Sequence, residues 1–292
     1  MWIARTITDL RRQRRTLRGS VALVPTMGAL HGGHLSLIDR GKSVCAQVIV
    51  TIFVNPTQFG PNEDYTTYPR SEDHDLGACE RSGVAGVFIP AAEQVYPAEV
   101  PATELTVPSM MATLEAEHRP GHLRGVVRVV LKLLNMAQPD AACFGRKDFQ
   151  QLRVVQAMVA DLNLPVSIIE CDTVRDPDGL AISSRNVHLS QQARGHALGL
   201  HKALCHAQTL VEQSDETEPT RVESAMQQVL QSHHVTVDYA VVRHPLTLMP
   251  LDCLEPALTG GVVALVAGRV GDVRLIDNML LAQPPGEADH SE

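Results

Sequence analysis

The feature that most constrains the fold is a succession of short apolar runs, each followed by a stretch with helical character. The runs occupy residues 21–25 (Val-Ala-Leu-Val-Pro), 48–54, 87–90, 141–144 and 166–170. A strand with little polar alternation is buried on both faces, and helices between such strands imply a parallel sheet covered on both sides. Helices are expected over 34–45, 71–82, 122–137 and 148–162, with a further one before the first run. Residues 1–173 therefore read as α/β, a doubly wound parallel (Rossmann-like) sheet. A chain of 292 residues exceeds the size at which a single core usually stops growing, so a second domain is expected. The pattern changes after 173. Helices over 191–211 and beyond an acidic breaker at 214–219, then strands at 235–242, 262–267 and 273–276, predict a smaller α+β domain over 174–282. Residues 283–292 read as a frayed polar tail.

Charge narrows the class of partner. A formal net charge of −8 describes an acidic globular protein, so bulk binding to nucleic acid is not expected and any anion site must be local. No apolar stretch approaches the roughly 20 residues that span a bilayer. The start lacks a long apolar segment of the secretory kind, and a cytoplasmic protein is expected. The basic group Arg11, Arg12, Arg14, Arg15 and Arg18 reads as the solvated face of the first helix. Six widely spaced cysteines without a C-x-x-C pair read as reduced, mostly buried side chains.

In an open parallel sheet, ligands bind beyond the carboxyl ends of the strands, so the residues just after each strand carry the chemistry. The first run delivers Met27, Gly28, Ala29, Leu30, His31, Gly32, Gly33 and His34. Its glycines permit a tight turn, and its two histidines straddle the start of a helix. Backbone N–H groups there attract anions, and two imidazoles add donors suited to a triphosphate. No G-x-x-x-x-G-K-[ST] is present, so the chain is not a P-loop protein. The H-x-G-H pattern resembles that of the adenylyl-transferring superfamily, which implies attack on an α-phosphate.

Further segments sharpen the resemblance: Asn55-Pro56-Thr57-Gln58-Phe59, Arg119-Pro120-Gly121-His122-Leu123-Arg124-Gly125, Gly145-Arg146-Lys147-Asp148-Phe149-Gln150-Gln151, Ala181-Ile182-Ser183-Ser184-Arg185-Asn186 and Arg274-Leu275-Ile276-Asp277-Asn278. Together they resemble the pantothenate synthetase (pantoate-β-alanine ligase) family, from about residue 21 to 278. The resemblance implies an enzyme of pantothenate biosynthesis. It would join pantoate to ATP as pantoyl-adenylate with release of pyrophosphate, then let β-alanine displace AMP. Matched residue by residue, it implies catalytic roles for His34, His31, Lys147, Ser183, Ser184 and Arg185. ATP contacts would come from residues 27–34, Gly145, Arg146, Lys147, Asp148, Val174, Ile182 and the Ser183–Arg185 loop. Gln58, Gln151 and Asn55 would hold pantoate, and Arg119 and His122 the β-alanine carboxylate. It also implies Mg²⁺ with ATP, a homodimer formed through the larger domain, and a small domain acting as a lid.

Two departures from the family pattern are visible. Arg146 stands where an acidic residue is common, adding positive charge beside the phosphates. His74 interrupts the acidic cluster Glu72-Asp73-His74-Asp75, which leaves no residue assigned to the metal. Competing readings are a relative that adenylylates a phosphorylated substrate and a nucleotide sensor without turnover. The two glutamines weigh against the first, and the complete set of motif cations against the second. A tRNA-charging enzyme is disfavoured by the acidic charge.

Overall fold

The computed structural model describes residues 1–61, 63–214, 216–254 and 261–281. The chain divides into two compact units, residues 1–174 with 182–184, and residues 175–181 with those from 185 onward.

The first unit runs β1 (Trp2–Ala4), α1 (Ile7–Arg14), β2 (Val21–Thr26), α2 (Gly32–Val44), β3 (Gln47–Ile52), α3 (Glu72–Arg81), β4 (Gly86–Phe88), α4 (Ala92–Val95), α5 (Glu115–His118), α6 (His122–Ala137), β5 (Ala141–Gly145), α7 (Phe149–Asp161) and β6 (Ser167–Cys171). Among the described residues the strands form one parallel sheet in the order β1-β4-β3-β2-β5-β6. Successive residues of a strand point to opposite faces. Leu23 and Ile49 join α1, α6 and α7 on one side, through Leu10, Val126, Val130 and Leu152. Ala22, Val24, Val48 and Val50 join α2 and α3 on the other, through Leu37, Ile38, Ala78 and Cys79. This two-sided burial is why the strands read as unbroken apolar runs, and the expected α/β class holds.

Helix boundaries follow from local chemistry. Thr6 accepts a hydrogen bond from the Asp9 amide at the start of α1 (3.1 Å). Gly121, with φ of +87°, precedes α6, and Gln138, also left-handed, closes it with its N–H on the Leu134 carbonyl (2.8 Å). The basic residues of 11–18 lie on or just beyond α1, where Arg11, Arg12, Arg15 and Arg18 are exposed. β1 is an element that the sequence pattern did not predict. It adds a parallel edge strand beside β4, with Trp2 opposite Gly86. A side chain at Gly86 would collide with the Trp2 ring.

The second unit contains α8 (Gln191–Gln213), α9 (Pro219–Ser232), β7 (Thr236–Arg243), β8 (Val262–Val270) and β9 (Val273–Leu281). Its antiparallel sheet has the order β7-β8-β9. Leu200, Leu204, Val222, Met226 and Leu230 of the helices pack with Val242, Ala264 and Val266 of the sheet. β8 and β9 are longer than expected: β8 continues to a two-residue turn at Gly271, where φ is +59°, and β9 continues past 276 to Leu281, which pairs back with Val262. Arg175 makes a bidentate pair with buried Asp277 (2.6 and 2.9 Å). The expected frayed tail, 283–292, lies outside the described residues. No described helix is long and apolar enough to cross a membrane.

Candidate active site

The strand order reverses between β2 and β5, so the crevice beyond their carboxyl ends is where this sheet leaves room for a ligand. Two predicted segments meet it: residues 27–34 after β2, and Gly145–Asp148 after β5. The first is a strained turn, with φ of +83° at Gly28 and +50° at Ala29. The buried carboxylate of Asp75, from α3, accepts the amides of Ala29 and Leu30, both at 2.8 Å. Thr26 Oγ1 accepts the Gly28 amide (3.2 Å) and donates to the Thr51 carbonyl (2.7 Å). The turn is therefore held from β2, β3 and α3 before any ligand arrives.

His31 is the N-cap of α2, and its ring stacks on that of His34 with centroids 4.1 Å apart. The His31 amide donates to His34 Nδ1 (3.4 Å), so in neutral His34 the proton sits on Nε2. Burial, and secondarily His31, push the His34 pKa down to about 3. Burial also lowers that of His31, whose buried Nδ1 has no hydrogen-bond partner among the described residues. Lys147 lowers and Asp148 raises the pKa of both rings, which places these two charges beside the histidines. Lys147 and Asp148 face one another at 3.9 Å.

The second wall is built on β3 and α6. Asn55 is 1% exposed, and every polar atom of its side chain is used. Its Oδ1 accepts from the Thr57 amide (3.2 Å), Thr57 Oγ1 (2.9 Å) and Tyr96 Oη (2.8 Å). Its Nδ2 donates to Gln58 Oε1 (3.0 Å) and the Gly125 carbonyl (3.1 Å). Gln58 Nε2 then points to Met27 Sδ, 3.0 Å away, joining this wall to the H-x-G-H turn. A side chain at Gly125 would run into the Thr57 carbonyl, so α6 packs directly on the Gln58 backbone. His122 Nε2 lies 2.9 Å from Arg119 Nη1, and its Nδ1 lies 2.8 Å from the Gln58 carbonyl. Arg119 can only donate, so the His122 proton is on Nδ1. Arg119 in turn makes a bidentate pair with Glu63 (2.9 and 2.7 Å).

The remaining predicted residues divide between the units. Gln151 lies in the first turn of α7, half-buried, with no hydrogen bond to its amide from the described residues. Its neighbour Gln150 is buried and braces the Met110 and Thr113 carbonyls and the Glu115 amide. Arg146 pairs with Glu170 (3.0 Å) and Asp172 (2.7 Å), on and after β6. The Val174 carbonyl accepts the Ile182 amide (3.0 Å). Ile182 Cδ1 lies 3.5 Å from where a Cβ on Gly32 would be, and Ser184 Oγ lies 3.2 Å from Tyr68 Oη. Ser183 and Ser184 thus belong to the first unit, whereas Arg185 belongs to the second. Of the acidic cluster, Glu72 pairs with Arg5 and Asp75 is committed to the turn. Among the described residues no three His, Cys, Asp or Glu side chains are grouped to hold a metal.

A model of the pantoate-β-alanine ligase family matches residues 2–280. The chain belongs to that family. It is 42% identical to a pantothenate synthetase of Pseudothermotoga lettingae, over 97% of this chain and 100% of the relative. A crystal structure of pantothenate synthetase from Thermus thermophilus matches with a TM-score of 0.89 at 40% identity, covering 96% of this chain and 99% of that one. The pantoate-β-alanine ligase from Francisella tularensis, complexed with β-γ ATP and β-alanine, matches with a TM-score of 0.77 at 33% identity, over 96% and 97% of the two chains. Membership of the pantoate-β-alanine ligase family makes the chain a ligase. Within it the structure adds Asp75, Tyr96 and Gly125, to which sequence reasoning assigned no role. A glycine inside an apolar helix, as at 125, is the one available signal, because it marks a close backbone approach.

Proposed function

We propose that this ligase condenses pantoate with β-alanine at the crevice between β2 and β5, using ATP and releasing AMP and pyrophosphate. The observation that carries the reading is the convergence on one turn. Residues 27–34 carry the N-terminus of α2 and two neutral histidines, and Lys147 and the Gln58 amide flank them. In the first step a pantoate carboxylate oxygen bonds to the α-phosphorus while the bond to the pyrophosphate oxygen breaks. Neutral His34 donates through Nε2–H to a phosphate oxygen, and His31, Lys147 and the α2 amides share the charge that grows in the transition state. Ser183, Ser184 and Arg185 close over the phosphates, with Gly145, Asp148 and Val174 against the nucleoside. Mg²⁺ would travel with ATP on its phosphates, since among the described residues no three His, Cys, Asp or Glu side chains are grouped to hold it.

Gln58 and Gln151 supply the two amides that hold the acid. Gln58 offers its N–H₂ group, because its oxygen is already bonded by Asn55, and Asn55 acts through it. In the second step the β-alanine nitrogen bonds to the acyl carbon, the bond to AMP breaks, and the amine loses a proton. Arg119 takes the β-alanine carboxylate in exchange for that of Glu63, while His122, with no donor left over, secures the Gln58 backbone. Family resemblance further supports a cytoplasmic homodimer formed through the first unit, with the second as its lid.

The test is AMP release by the purified protein with ATP and Mg²⁺. AMP should form only when pantoate and β-alanine are both present, with pantothenate identified by mass spectrometry. Release with neither acid nor amine required, or none at all while ATP binds, would overturn the reading. His34→Ala should abolish pyrophosphate release while leaving the fold intact.

A further inference from the structure

The hydroxyl of Tyr96 lies two hydrogen bonds away from Gln58. Tyr96 follows α4, and its Oη donates to Asn55 Oδ1 (2.8 Å) and lies 3.3 Å from Thr57 Oγ1. Of the three groups that converge on one atom of Asn55, the Thr57 amide can only donate, so that atom is the oxygen. The other end, Nδ2, must then face Gln58 Oε1. That bond leaves Gln58 Nε2 as the end turned toward Met27 and the crevice. The ring is itself held. It tilts against Phe53 at 6.2 Å, with Arg128 and Lys132 of α6 over it at 4.7 and 5.7 Å. Burial raises its pKa, which keeps the phenol a donor across the working range.

We propose that Tyr96 is a positioning residue for the acid substrate: its hydroxyl, through Asn55, holds the Gln58 amide with the nitrogen facing the substrate oxygens. The inference rests on Gln58 being an acid-binding residue. Without the Tyr96 hydroxyl, Asn55 keeps the two bonds from Thr57 on Oδ1 and that from Nδ2 to the Gly125 carbonyl, so its amide, and with it that of Gln58, is held less firmly. The orientation that presents Gln58 oxygen to a substrate carboxylate is repulsive. Tyr96 therefore acts on the acid and on neither ATP nor β-alanine.

The experiment is steady-state kinetics on Tyr96→Phe, Gln58→Ala and the double variant, varying each of the three substrates in turn, with thermal midpoints beside them. Tyr96→Phe should raise KM for pantoate roughly five- to tenfold, the loss expected for one hydrogen bond, with KM for ATP and β-alanine within about twofold. In the Gln58→Ala background the same substitution should have no further effect on pantoate, because the amide it orients is gone. If Gln58→Ala leaves pantoate KM unchanged, the assignment of Gln58 falls and this inference with it. If Gln58→Ala raises that KM but Tyr96→Phe only lowers the thermal midpoint, or costs the same in both backgrounds, Tyr96 is a packing residue and the inference alone is overturned.

Discussion

Acid should destabilise the first unit through His122, by an amount the structure sets. The ring is 8% exposed, donates through Nδ1 to the Gln58 carbonyl and accepts at Nε2 from Arg119. Protonation would place an N–H against the guanidinium N–H, in a site from which water is excluded. Burial first, and Arg119 second, push the pKa down to about 4 from an ordinary 6.5. The folded state thus holds fewer protons than the unfolded chain, and stability that is complete above pH 6.5 is lost as the pH falls toward 4. With these two values the loss is about 2 kcal/mol between about pH 7.5 and about pH 5, and approaches about 3 kcal/mol near pH 4. His34 titrates in the same direction, so the measurement must be a difference. Urea unfolding of the protein and of His122→Gln, followed by fluorescence of Trp2, the one tryptophan in the sequence and a residue of the first unit, isolates the effect. His122→Gln is expected to be the weaker at about pH 7.5 for packing reasons. Its deficit should shrink by about 2 kcal/mol at about pH 5. A deficit that stays constant between the two pH values would refute the argument, because it would mean His122 takes up no extra proton on unfolding.

Three other substitutions test how the turn and its wall are held. Asp75→Asn replaces one acceptor of the Ala29 and Leu30 amides by a donor, so it should cost about 2–3 kcal/mol in thermal unfolding and raise KM for ATP roughly tenfold. An unchanged KM would mean the turn keeps its shape without the carboxylate. Gly125→Ala forces α6 away from the Thr57 carbonyl and should raise KM for pantoate more than KM for ATP, at a stability cost of about 1–3 kcal/mol. Gly86→Ala displaces the Trp2 ring from β4 and should red-shift Trp2 emission while leaving turnover nearly intact, since β1 is the far edge of the sheet from β5. Unshifted emission would show that the ring already lies elsewhere in solution.

What could be read from the sequence was what depends on periodicity or on neighbours along the chain. α6 was legible to the residue, because a left-handed glycine precedes it and its apolar face is continuous. β1 was not, since three residues give no period and Trp2–Ala4 is a strand only because β4 offers it a partner. α4 and α5 escaped for the same reason, being single turns. The H-x-G-H turn announced itself, whereas the carboxylate that shapes it lies 45 residues further on and read only as one member of an interrupted acidic cluster with no role assigned. Nothing local distinguishes an aspartate that accepts two main-chain amides from one that faces water.

Arg119 shows the same limit with a functional consequence. In the sequence it is a cation near a glycine-led helix, free to meet a carboxylate. In the folded unit it already has one, since Glu63 matches its fork with two hydrogen bonds. A substrate carboxylate that used Arg119 would exchange one bidentate pair for another, so its net gain in affinity would be small even though the contact would be strong. Such an exchange favours selectivity over tightness, because an amine lacking the carboxylate leaves the Arg119–Glu63 pair intact. It also couples the two substrates, since Arg119 bonds His122 and His122 holds the Gln58 main chain. Drawing Arg119 away from Glu63 thereby moves a hydrogen-bond partner of the residue assigned to the acid, so the second substrate has a physical route to the first without touching it.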